Sequence, residues 1–118
     1  MYGLRSDVNL EPLKGRRLEQ VCLGRYDVQL RFEQSIVFVL QCKMTFVTNL
    51  GSILINSDQP TQSSTLAQLV GKTVDRYLVV SSEDLELAFS DDLRLILHDS
   101  SKKYESFVIW MAGTPLIV

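Results

Sequence analysis

Apolar and polar residues alternate through much of this chain. Val28, Leu30 and Phe32, then Ile36, Phe38 and Leu40, are apolar at every second position. Period two places alternate side chains on one face of an extended strand, so these segments predict β-strands with one buried face. The pattern then returns. Leu13, Gly15, Leu18, Val21 and Leu23 recur 56 positions later as Leu69, Gly71, Val74, Tyr77 and Val79. One inserted residue moves the offset to 57, and Asp27, Val28, Leu30, Phe32, Ile36, Phe38 and Leu40 then match Asp84, Leu85, Leu87, Phe89, Leu93, Leu95 and Leu97. A glycine, an aspartate and a phenylalanine kept in place point to duplication rather than to a shared periodicity alone.

Each copy predicts three strands, placed in the second at 73–80, 84–89 and 93–98. The links are short and polar: Gly24 to Tyr26, Ser81 to Glu83, Glu33 to Ser35 and Ser90 to Asp92. Such links join antiparallel neighbours. The third strand of the first copy is expected to run to about Thr48, turn at Asn49 to Gly51, and return through Ile53 to Ile55. A polar loop follows, then a short helix over about 63–70, capped by Ser63 or Ser64 and ended by Gly71, with Leu66, Leu69 and Val70 on one face. The C-terminal segment at about 104–118 predicts a hairpin that turns at Ala112 to Thr114. The expected fold is therefore mainly β. It is a single domain, 1–118, in which a duplicated three-stranded antiparallel meander (about 13–48 and 69–98) forms a sandwich or a partly open barrel.

The second face of these strands is less polar than a solvated sheet requires. Val37, Val39, Val47 and Ile96 fall on it, with either Val108 and Trp110 or Phe107, Ile109 and Met111 from the C-terminal strand. Either the other half-sheet buries them, or they form an interface, for which Val37, Val39, Ile96 and Trp110 are the candidate residues.

Composition narrows the function classes. With 46% apolar and 22% charged residues in 118, the chain has the balance of one soluble globular domain. No apolar run approaches the roughly 18–20 residues of a membrane span, and no export signal is visible, so a cytoplasmic protein without membrane attachment is expected. The net charge of −2 argues against nucleic acid as the partner. Cys22 and Cys42 lie 20 apart with no CxxC pair, which predicts two reduced thiols and no metal site.

Nothing in the chain reads as catalytic or cofactor-binding. His98 is the only histidine, and its counterpart in the repeat is Gln41, an ordinary outward strand position. No nucleophile turn and no phosphate-cradling glycine motif accompanies it, so a non-enzymatic protein without cofactor is expected. The best-defined polar feature is acidic. Residues 60–118 carry five basic against eight acidic residues, a balance of −3, whereas 1–59 carry seven against six, or +1. Glu83, Asp84, Glu86, Asp91, Asp92 and Asp99, with Tyr104, are the candidate partner-binding edge.

The order Leu13-x-Gly15, then Gln20 to Val28 (QVCLGRYDV), then Tyr104-Glu105-Ser106-Phe107 resembles a group of small bacterial β-rich proteins without assigned function. That resemblance implies a bacterial origin and a compact β fold, and it carries over no catalytic residue. By type, the chain is also similar to the immunity proteins of contact-dependent growth inhibition and polymorphic toxin systems, which are small, acidic, cytosolic toxin inhibitors. This likeness implies a cognate toxin domain as partner, met by the acidic edge together with Tyr77, Tyr104 and Trp110. The alternative is a structural or assembly module that forms a homodimer through the outer sheet face.

Overall fold

The structure is a computed structural model that describes residues 9–81, 83–99, 107–111 and 114–117, the last four by their backbone. The first half of the chain contributes β1 (Leu18–Leu23), β2 (Val28–Phe32), β3 (Val37–Leu40), β4 (Lys43–Thr48) and β5 (Gly51–Asn56). The second half contributes β6 (Val74–Val79), β7 (Asp84–Phe89), β8 (Arg94–His98), β9 (Phe107–Met111) and β10 (Thr114–Ile117). The strands form two open antiparallel five-stranded sheets in the orders β1-β2-β3-β9-β10 and β5-β4-β8-β7-β6. Alternate residues of both sheets point into one shared core, so the arrangement is a sandwich and not a closed barrel.

Each sheet combines the meander of one half with the terminal hairpin of the other. The two junctions match. In the first sheet Val37 pairs with Trp110 and Val39 with Val108, and in the second Arg94 pairs with Val47 and Ile96 with Thr45. The duplication thus extends beyond 13–48 and 69–98. The β9–β10 hairpin is the second-half counterpart of β4–β5, and the two halves are related by a pseudo-twofold.

Residues on that pseudo-axis meet their own counterparts. Arg17 bridges Thr73, and the rings of Phe32 and Phe89 stack 6.3 Å apart. The backbone bonds are reciprocal, Gly15 donating to Val74 and Gly71 to Leu18. Both β2–β3 and β7–β8 turn through two consecutive left-handed residues, Gln34 and Ser35 (φ 64° and 59°) and Asp91 and Asp92 (φ 63° and 60°). Each turn is a three-residue loop closed by the same backbone bond, Phe32 donating to Ile36 and Phe89 to Leu93.

The change of offset from 56 to 57 has a local cause. Gly24 donates to Asp27 across a two-residue loop, whereas its counterpart Val80 donates to Asp84 across three. In the tighter loop a Cβ at Gly24 would collide with Asp27 Oδ1 and lie 3.2 Å from the Asp27 carbonyl, so the short version takes glycine.

Of the core positions expected from alternation, Val28, Leu30, Phe32, Ile36, Phe38, Leu40, Leu85, Leu87, Phe89, Leu95 and Leu97 are buried and Leu93 is partly so. Phe107 and Ile109 face inward, which leaves Val108 and Trp110 outside.

Two expectations are corrected. The third strand does not run to Thr48: β3 ends at Leu40, and Gln41–Cys42 carries the chain to β4 in the other sheet. The helix begins earlier, as α1 (Pro60–Ser63), and continues as a 3₁₀ turn over Ser64–Leu69. Neither serine caps it. Ser63 Oγ donates to the Asn56 carbonyl and Ser64 Oγ to Thr61, and Leu66 and Leu69 seal the core while Val70 is exposed.

Candidate functional site

The outer face of the second sheet carries a polar cluster. The antiparallel register sets Lys43, His98 and Asp84 side by side on β4, β8 and β7, with Thr45, Ile96 and Glu86 in the next row. His98 joins the rows: its Nε2 lies 2.8 Å from Thr45 Oγ1, and its Nδ1 lies 2.8 Å from Asp84 Oδ1. A hollow of about 330 Å³ beside it is lined by Lys43, Leu54, Glu83, Asp84, His98 and Asp99. His98 is therefore not the plain outward residue that its match with Gln41 suggested.

Hydroxyl, imidazole and carboxylate in this order have the connectivity of a nucleophilic triad. The surroundings do not complete one. Thr45 sits in the middle of β4, which pairs with β5 on one side and β8 on the other, so its neighbouring amide N–H groups are committed to ladders. An oxyanion needs free donors at such a point. The relay instead ties three strands together across the sheet.

The acidic residues do not gather into one edge. Glu83 and Asp84 stand at one end of β7, while Asp91 and Asp92 form the turn at its other end. Several are matched internally: Asp91 with Lys72, Glu86 with Arg94 at 3.4 Å, and Asp84 with His98. Asp99 is only 5% exposed, so it lines the base of the hollow rather than a solvated rim. Tyr104 lies outside the described residues. Tyr77 faces inward, its hydroxyl accepting the Leu10 N–H at 3.2 Å, and Trp110 is on the other sheet, so neither joins the carboxylates.

The apolar candidates also divide. Val37, Val39 and Trp110 share the outer face of the first sheet with Val108, in a block of four on β3 and β9. Ile96 stands on the outer face of the second sheet, between Thr45 and Glu86. Val108 completes the block and was one of two alternatives in the alternation; pairing of β9 with β3 selects it. The three valines are half-buried by their neighbours and Trp110 is 41% exposed.

Cys42 is buried where the chain crosses between sheets. Burial pushes its thiol up to about 12, the His98 backbone hydrogen bond opposing this and the charge of Asp99 adding to it. Among the described residues no cluster of histidine, cysteine and carboxylate has the arrangement of a metal site, and no helix is long and apolar enough to cross a membrane. In comparisons with known proteins, no family model, curated protein or solved structure matches this chain.

Proposed function

We propose that the chain is a non-catalytic protein-binding module, and that its working surface is the outer face of the first sheet. The observation that supports this is a contrast within the duplicated fold. Val37, Val39, Val108 and Trp110 occupy the positions that Arg94, Ile96, Thr45 and Val47 occupy on the second sheet. The architecture is the same on both sides, so the fold does not require an apolar block there. Uncharged positions around one tryptophan have the composition of an interface centre, where aromatic side chains carry most of the binding energy.

The partner this surface fits is a protein with an uncharged apolar patch. Trp110 is the only tryptophan, so its emission should shift to the blue on binding. Val39→Lys and Trp110→Ser should keep the parent's circular dichroism and lose the partner. Binding that survives both substitutions would remove this reading. In its homodimer version the partner is a second copy laid face to face, and Val39→Lys then yields a monomer.

A second reading keeps the toxin-inhibitor class and the acidic residues. Glu83, Asp84 and Asp99 around the hollow favour it, as a small acidic recess for a basic side chain of a cognate toxin domain. Charge reversal at Glu83 and Asp84, which line the recess, should then weaken toxin binding and its salt dependence. Unchanged affinity after reversal would sink it.

A further inference from the structure

The four outermost strands are finished differently. β1 and β6 each carry a bulge, at Glu19 and Asp75, and each is tied at its start to the facing sheet by Leu18–Lys72 and Val74–Arg16 backbone bonds. β10 carries Pro115, which has no N–H to offer. These are the devices by which proteins blunt sheet edges. β5 has neither bulge nor proline nor charge: it pairs with β4 in unbroken register from Gly51 to Asn56. Around it Leu50, Ile53 and Leu54 are 94%, 47% and 59% exposed.

The open hydrogen-bonding groups of β5 can be assigned. The Asn56 N–H donates to Gln62 Oε1 at 3.0 Å and its carbonyl accepts from Ser63 Oγ at 3.2 Å, so Asn56 turns its peptide groups away from β4. Alternate residues of an antiparallel strand share that orientation, so Ser52 and Leu54 direct theirs to the side away from β4, where no strand among the described residues pairs with them. We propose that β5 pairs antiparallel with β5 of a second copy about a twofold axis at Ile53, joining the two second sheets edge to edge.

The position of the axis follows from the available groups. With the axis at Ile53, Ser52 faces Leu54 of the second copy, and each of the two equivalent pairs exchanges two N–H···O bonds. Ile53 meets its own copy in the close, non-hydrogen-bonded position, with Cα atoms about 4.5 Å apart. An axis at Leu54 would set Ser52 against Asn56, whose groups Gln62 and Ser63 already hold. An axis at Ser52 would set Leu54 against the turn residue Leu50. β5 carries no charge, so like strands approach without repulsion, as a self-matching twofold contact requires.

Sedimentation equilibrium of matched variants tests this. The parent should be a dimer. Ile53→Lys and Ile53→Glu should each be monomeric with the parent's circular dichroism, and their equimolar mixture should regain the dimer because residue 53 faces itself. Ser52→Pro should also give a folded monomer, since β10 already holds Pro115 at the matching position. A parent that sediments as a monomer overturns the proposal. So does a dimer that survives Ser52→Pro and Ile53→Lys, a mixture that stays monomeric, or a dimer lost in Val39→Lys alone. The Trp110 emission response of the Ser52→Pro monomer reads the first-sheet surface separately.

Discussion

Two left-handed turns show how single residues carry the duplication. Gln34, Ser35, Asp91 and Asp92 all adopt positive φ without being glycine, a conformation that costs an L-residue roughly 1–2 kcal/mol. Ser35→Gly should therefore raise stability by up to about 1 kcal/mol after the added freedom of the unfolded chain is counted, and Ser35→Val should lower it; urea unfolding checks both. Cys42 gives a pH prediction. Its folded thiol ionises near 12 against an ordinary value of 9.0, so over that interval the unfolded chain has released a proton that the folded chain keeps. Its contribution to stability is thus complete below 9.0 and declines as pH rises toward 12. The decline is at most about 1.4 kcal/mol per pH unit, and Cys42→Ala should flatten the alkaline limb of the stability curve. Native Cys42 should resist alkylation at pH 8, while half-buried Cys22 reacts faster.

At the scale of elements, the sheet change at Gln41–Cys42 explains why alternation misread one strand. Ile36, Phe38, Leu40, Cys42, Met44 and Phe46 are inward without interruption, although the chain leaves the first sheet after Leu40 and enters the second at Lys43. A strand that crosses the rim of a sandwich continues to face the same core, so period two does not register the crossing. The Phe32–Phe89 stack holds the two turns together across the pseudo-axis. Phe89→Ala removes that ring from a closed core and should cost about 3–5 kcal/mol, read as a lower urea midpoint with an unchanged slope. The exposed substitution Leu50→Ser, at the tip of the β4–β5 hairpin, should leave stability within about 0.5 kcal/mol.

For the whole molecule, exchange of terminal hairpins makes each half dependent on the other. The first-half meander lacks β9 without residues 107–111, and the second-half meander lacks β4 without residues 43–48. Fragments 1–58 and 59–118 should each be unfolded alone and recover the parent's circular dichroism when co-refolded. A folded isolated half would contradict the exchange. Within one chain, the same arrangement leaves three kinds of exterior: a polar sheet face around His98, an apolar face around Trp110, and the open β5 edge. The last two differ from their pseudo-symmetric counterparts, the Arg94–Ile96 positions and the Pro115-bearing β10, and the proposed partner and second copy are assigned to them.

The amino-acid order by itself determined the strands of both meanders, the buried set, the turns and the doubling, because these follow from period two, from glycine and polar links, and from self-similarity along one dimension. It also marked Val37 and Val39 as outward apolar residues and left the C-terminal strand open between Val108 with Trp110 and Phe107 with Ile109 and Met111. Which outward residues share a surface was decided only by the tertiary structure. Hairpin exchange put Val108 beside Val39 and moved Ile96 to the opposite sheet, and pairing of β7, β8 and β4 drew Asp84, His98 and Thr45 into contact. Those are contacts between residues up to 69 positions apart, set by strand order across a sheet, and no local pattern of hydrophobicity encodes strand order.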